Sequence, residues 1–327
     1  MKRRRLLHAT LASACLAASM SSSWAADAWP SRSIRIVHGF TPGGPVDSLA
    51  RLIAQQFSQR LGQTAFVEGK PGAGGTLGAN FVAKAPADGY TLFLMASGHS
   101  ASPGLYQSLP FDPVHDFTMI SMVASSPYVI LAKTGGSIST IQQLVEQAKA
   151  KPGAVDYGSG GIGTGMHLAA VLFQSRLKLQ MTHIPYKGGN GPTTALRAGE
   201  VPIVFTSLAG GIMGMIENGE VKPLAVTSRE RFPALPDVPS VAQTVVPDFD
   251  ISAWYALAGP KGMPPAVVAK LNETMKAFLQ DPEVLKTLKV QAAEPWSSTP
   301  QQAQNFLGED VERWTKVIKD EKVAIGN

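Results

Sequence analysis

Strand, glycine-rich loop and helix follow one another in the same order in both halves of this chain. That recurrence narrows the fold more than any other feature of the sequence. In the first half, SIRIVHGF (33–40) is a β-rich run that ends at the loop Thr41-Pro42-Gly43-Gly44-Pro45. The next segment sets Val46, Leu49, Leu52, Ile53, Phe57 and Leu61 at helical spacing, with Gly62 as its stop. AFVEGK (65–70), the loop PGAGG (71–75) and the helix TLGANFVAKA (76–85) repeat the pattern, and TLFLMAS (91–97) is a further strand. In the second half, VDYGS (155–159) leads through a glycine loop into the helix HLAAVLFQSRL (167–177). THIPYKGG (182–189) leads into the helix TTALRAG (193–199). VPIVFTSLAGG (201–211), KPLAVTS (222–228) and SAWYALAGP (252–260) read as strands, and MISMVASSPYVILAK (119–133) as one long strand or a pair. Segments 140–150, 265–280, 282–288 and 300–321 read as helices. Strands alternating with helices predict an α/β fold with mainly parallel sheets, and the recurrence predicts two similar lobes.

With 327 residues the chain can bury a substantial core and is long enough for two domains. Its N-terminus reads as an export signal (1–25). Lys2, Arg3, Arg4 and Arg5 form a basic region, Leu6 to Met20 a short apolar one, and Ser23-Trp24-Ala25 or Ala26-Asp27-Ala28 a small-residue cleavage site. The arginines also suit the twin-arginine pathway, and Leu11 to Cys15 loosely resembles a lipoprotein box in which Ala12 is too small, so a soluble product is expected. Loss of the four basic residues lowers the formal net charge from +5 to about +1. No Lys/Arg run remains to suggest nucleic acid. The single cysteine, Cys15, leaves with the signal, so the exported protein is expected to have no disulfide, thiol nucleophile or cysteine metal ligand. No internal run of about 18 apolar residues predicts a membrane span.

Three loops share one design. Phe40 to Asp47 is the first, with Pro45 suited to the opening turn of a helix and Gly43 and Gly44 letting backbone approach a ligand. Gly158 to His167 is the second, with Thr164 as N-cap and the amides of Gly165, Met166 and His167 left without helical partners. Tyr186 to Gly191 is the third. Each is an ordinary connector when taken alone. Three together favour a cleft, because in an open α/β sheet such loops gather where ligands bind. A helix start presents its N–H groups to an anion.

The sequence narrows which anion. No loop ends in the Gly-Lys-Ser/Thr of a P-loop. Gly158 to Gly163 matches the loose GxGxxG pattern, but Leu179, Gln180 and Met181 stand where a dinucleotide fold needs an acid. Ser159 misses the GxSxG nucleophile elbow by one position. His38, His99, His115, His167 and His183 make no close metal-ligand spacing, and His167 reads as a packing or hydrogen-bonding residue. Donors are present, but no nucleophile stands beside its base. No metal, cofactor or enzymatic chemistry is expected.

Several longer stretches carry a resemblance: FTPGGPVD (40–47), EGKPGAGGTLGANFVAKAPADGYTL (68–92), LPFDPVHDF (109–117), YGSGGIGTGMHLA (157–169), IPYKGG (184–189), LPDVPSVAQ (235–243) and GPKGMPPAVVAKLN (259–272). In order and spacing they resemble the Bug family, the TctC-like periplasmic solute-binding proteins of tripartite tricarboxylate transporters. The likeness implies a two-lobed, type II-like periplasmic binding fold with a cleft between lobes. Crossings are implied near 120–130 and 245–255, with lobe one at 28–124 and 250–327 and lobe two at 125–249. It implies a small carboxylate as ligand, membrane permease subunits as partners, a periplasmic location and a monomer. Carried over by position, Phe40, Thr41, Gly43, Gly44 and Asp47 belong at the cleft from the first loop. Ser159, Gly160, Gly161, Gly163 and Thr164 belong there from the second, and Tyr186 and Lys187 border the site. Val46 stands where many relatives carry Thr or Ser, and Gly69 where they often carry Asn, so a standard dicarboxylate loses a side-chain donor and Val46 could contact an apolar or aromatic ring. The rival readings are a sensor that presents its loaded form to a receptor, and a periplasmic hydrolase using Ser159.

Overall fold

The structure is a computed structural model, and it describes residues 29–320 except 189, 209 and 210. The expected export signal with Cys15, both cleavage sites and the last seven residues lie outside that range. In the first half, β1 (Ile34–His38) lies between β2 (Ala65–Gly69) and β3 (Thr91–Ala96) and runs parallel to both. Helix α1 (Pro45–Leu61) joins β1 to β2, and α2 (Thr76–Ala83) joins β2 to β3. Ile34, Ile36 and Val37 are fully buried, as a parallel strand covered on both faces requires. α1 buries Leu49, Ile53 and Phe57, starts on Pro45 and stops at Gly62 in the left-handed region (φ 70°).

The second half repeats this unit. β5 (Asp156–Ser159) lies between β6 (Thr182–Pro185) and β7 (Ile203–Ser207), parallel to both. Helices α5 (Gly165–Leu177) and α6 (Gly191–Ala198) make the two connections. Between the halves, α4 (Ile141–Ala150) precedes β5, capped by Thr140.

One strand belongs to both halves. β4 (Phe117–Lys133) is continuous, where the sequence left a pair of strands open. From Phe117 to Pro127 it pairs antiparallel with β9 (Ser252–Pro260); from Tyr128 onward it pairs with β7 and β8 (Val221–Val226). Pro127, which has no N–H to give a ladder, sits at the handover. The strand order is β2-β1-β3-β9-β4-β7-β5-β6, with β8 and the two-residue β10 (Glu294–Pro295) also on β4. The chain returns to the first half after two short helices, α7 (Ile212–Glu217) and α8 (Val241–Thr244). Thr227 ties the two crossings together: its Oγ1 accepts from Tyr128 N (2.9 Å) and donates to Ile251 O (2.6 Å). A two-lobed α/β architecture results.

The sequence did not reveal α3 (Gly98–Leu105), the helix that follows β3. Two glycines, two serines and Pro103 are poor helix formers, so propensity argues against it. Tertiary contact supports it instead. After α9 (Pro265–Phe278) and α10 (Pro282–Val290), the last helix among the described residues, α11 (Pro300–Asp320), packs along α3, and Gly104 lies so close to Ile318 that an added methyl would sit 2.9 Å from it.

Candidate functional site

The first residues of three helices meet in a small cavity between the halves, about 40 Å³ in volume. Gly44, Pro45 and Val46 come from the start of α1, Ser97 and Gly98 from α3, and Thr164, Gly165 and Met166 from α5. α1 and α3 begin without a side-chain cap, whereas Thr164 caps α5. Helix starts leave N–H groups unpaired and carry a partial positive charge, so the cavity favours an anionic group.

Its floor is made of hydroxyls. Ser97 Oγ and Tyr128 Oη share a hydrogen bond of 2.7 Å, and Tyr255 bonds the Ser207 side chain. Ser97 follows β3 and Ser207 ends β7, the equivalent strand of each half, while the tyrosines stand on the two strands β4 and β9. Burial pushes both phenols above their ordinary range, so they stay neutral and keep their protons.

A wider cleft of about 750 Å³ adjoins this cavity, sharing Phe40, Gly160, Thr164 and Gly188 with it. Residues 71–75 form one wall and residues 160–162 and 185–188 the other, with Tyr106 alongside. Beside the two cavities the halves meet through glycine. A methyl on Gly98 would lie 2.7 Å from the Gly163 carbonyl oxygen, and one on Gly74 would lie 3.2 Å from that of Ile162. Thr41 Oγ1 donates to Lys187 O (3.1 Å) from one half to the other.

Of the residues expected at the cleft, Phe40, Gly44, Val46, Gly160 and Thr164 line the inner cavity. Thr41, Gly161, Tyr186 and Lys187 line the outer cleft. Gly43, Asp47, Ser159 and Gly163 line neither. Asp47 is 4% exposed and accepts from Gly43 N (3.0 Å), Arg51 Nε (2.8 Å) and His38 Nε2 (3.1 Å), which pins the first loop from behind. Burial alone would raise its pKa, but the bonds from Arg51, Gly43 and His38 outweigh it and hold the carboxyl below its usual range. Gly43 and Gly163 supply positive φ (82° and 78°) to their turns. Ser159 is fully buried, with Oγ 2.7 Å from His183 Nε2 and accepting from Gly161 N at 3.2 Å. A side chain at Gly69 would be tight, because a methyl there would meet Phe40 O at 3.0 Å and the His38 ring at 3.2 Å.

A histidine pair lies behind the second loop. His183 stacks between Tyr157 (4.9 Å between centroids) and His167 (4.4 Å). His167 Nδ1 accepts from Gly163 N (3.4 Å), which requires an unprotonated Nδ1. Burial pulls both imidazoles down to about 4, and for His183 the neighbouring His167 adds to the effect. No cluster of residues among those described could hold a metal ion.

The family model described as the tripartite tricarboxylate transporter family receptor, TctC, matches residues 49–323. The chain belongs to this family. Among TctC-family and Bug relatives, it is 33% identical to Protein BugT of Bordetella pertussis, over 95% of this chain and 94% of that one. It superposes on R. palustris Rpa4515 with adipate at a TM-score of 0.86 and 33% identity, covering 90% of this chain and 99% of that one. MatC (Rpa3494) from Rhodopseudomonas palustris with bound malate superposes at 0.83 with 29% identity, covering 89% and 100%. No helix among the described residues is long and apolar enough to cross a membrane.

Proposed function

We propose that this protein is a periplasmic solute-binding protein that captures a small organic carboxylate between its lobes, 28–124 with 250–327 and 125–249, and delivers it to the permease of a tripartite tricarboxylate-type transporter. One observation carries the reading: three helix starts and two Ser–Tyr pairs, drawn from both halves, converge on one small cavity. Adipate and malate, the ligands of the two related structures, are carboxylates. Phe40, Thr41, Val46, Gly160, Gly161, Thr164, Tyr186 and Lys187 are the proposed contacts, with Gly43, Asp47, Ser159 and Gly163 shaping the loops behind them. A ligand at about 100 times its Kd stabilises the fold by roughly 2.7 kcal/mol. A thermal-shift panel is therefore expected to respond to carboxylates; a response to sugars and to no carboxylate would overturn the reading.

A second reading has one geometric point in its favour. Ser159 and His183 stand at the spacing of a nucleophile and its base. The serine, however, is fully buried and lines neither cavity, so a substrate carbonyl has no approach to it. Ester turnover by the purified protein that is lost in Ser159→Ala would establish a hydrolase; absence of turnover, with carboxylate binding retained, supports the binding protein.

A further inference from the structure

We infer that a pocket behind the two crossings is the space into which the halves swing when the cleft opens, so that bulk placed in this pocket holds the protein closed and raises its affinity for ligand. The inference goes beyond the functional proposal and rests on it for the motion of opening and closing. The pocket has a volume of about 290 Å³. The crossing strands supply Ser125, Ser126 and Pro127 from β4 and Ser252 from β9; Ser228 and residues 230–233 come from the segment after β8, and Glu294 from β10.

The strands fix where this pocket lies relative to the ligand cavity. Pro127 and Ser252 are partners in register, and both line the pocket. Their chain neighbours Tyr128 and Ala253 line the inner cavity instead. Successive side chains of a strand point to opposite faces, so the crossing strands separate the two spaces.

The pocket is bounded by both halves. Residues 228–233 follow β8 of the second half, whereas Glu294 pairs with Ser125 in the stretch of β4 that holds β9. Ala292, two residues before Glu294 and 1% exposed, packs into the apolar cluster of Val129, Phe232 and Leu235. The halves therefore touch behind the crossings as well as in front of them, where Thr41 bonds Lys187 O. A rotation about strands that lie between two contacts opens one side while it closes up the other. Opening of the cleft then carries residues 230–233 toward Glu294. Packed protein compresses little, so this motion needs the empty pocket. A side chain that fills it removes open conformations and leaves the cleft itself untouched. Apparent affinity scales with the fraction of free protein that is already closed.

Ser252→Trp fills the pocket from β9, and Glu294→Trp fills it from β10 at an exposed position. Ser252→Ala and Glu294→Gln, which add no bulk, are the controls. Small-angle scattering without ligand is expected to give each tryptophan variant a smaller radius than wild type. Calorimetric titration with adipate and with malate is expected to show binding tighter by about threefold or more in the tryptophan variants, and within about twofold of wild type in the controls. Either tryptophan variant suffices if the other does not fold. Radii equal to wild type overturn the inference, and so does weaker binding by the folded tryptophan variants. If neither acid binds, the scattering comparison decides the inference by itself, so its failure and that of the carboxylate reading stay distinguishable.

Discussion

The Ser97 and Tyr128 hydroxyls share a hydrogen bond of 2.7 Å, and Gly165 at the start of α5 rests directly against the pair. A methyl on Gly165 would overlap the Tyr128 hydroxyl and lie 2.7 Å from Ser97 Oγ. Ser97 follows β3 of the first half and Gly165 follows β5 of the second, so this contact forms where the two halves meet.

Gly165→Ala is therefore expected to prevent full closure. An alanine suits the first turn of a helix, so the backbone itself carries no strain. The loss must come from the Tyr128 contact. Affinity for the best-binding carboxylate is expected to fall more than about tenfold, and small-angle scattering with ligand to show a larger radius than wild type. Adding Tyr128→Phe, which removes the overlapping oxygen, should return part of the affinity. Wild-type affinity in Gly165→Ala would show that the bound form does not use this contact.

Thr41→Val tests the bridge from the other wall. The substitution keeps shape and deletes the hydrogen bond from Thr41 to Lys187 O, which exists only while the halves are together. A neutral hydrogen bond contributes about 0.5–1.5 kcal/mol, so affinity is expected to fall roughly two- to twelvefold with little change in the unliganded melting temperature. Equal affinity for variant and wild type would show that the bridge adds nothing to closure.

Thr164→Val is expected to act differently, although Thr164 lines both cavities. Its Oγ1 donates to Gly161 O (2.7 Å) and accepts from His167 N (3.4 Å), so the hydroxyl is occupied within its own loop. Loss of such a cap lowers stability by about 0.5–2 kcal/mol. Chemical denaturation should show that loss, while calorimetry shows less than about a tenfold change in affinity. A large affinity loss at unchanged stability would assign the hydroxyl to the ligand.

What the sequence reveals of this site is its loops, because glycine, proline and a capping threonine act locally and leave a local trace. Gly44 and Gly160 were legible for that reason, whereas Phe40 was placed at the cleft by the resemblance alone. Tyr128 and Tyr255 were not, since they sit inside strands and become floor residues only when β4 and β9 pass between the halves. α3 was hidden because packing on α11, and not its own propensity, makes it helical. Asp47 and Ser159 lie in the motifs that carry the resemblance, yet their side chains turn inward. A motif reports that a residue is needed and not which way it faces.

The histidine pair predicts a pH dependence. His167 is 5% exposed and neutral, its Nδ1 accepting the Gly163 N–H, with His183 stacked on it and Tyr157 and Ser159 beyond. Burial lowers His167 to about 4, against about 6.5 in an unfolded chain. A depressed folded pKa means that the unfolded chain takes up the proton first. The contribution is complete above about pH 6.5 and is lost as pH falls toward about 4, with a slope of up to about 1.4 kcal/mol per pH unit for this residue. His183 and His99, also lowered to about 4 by burial, act in the same window, whereas Asp47 titrates below it. His167→Gln keeps an acceptor for the Gly163 amide and removes the titration. Urea unfolding from pH 7 to 4 is expected to show a shallower decline in the variant by about one proton's slope. Carboxylate affinity should also resist acid better than in wild type, because a protonated His167 cannot accept from the loop. Parallel stability profiles for variant and wild type would show that His167 does not titrate in this window and that its ring serves packing alone.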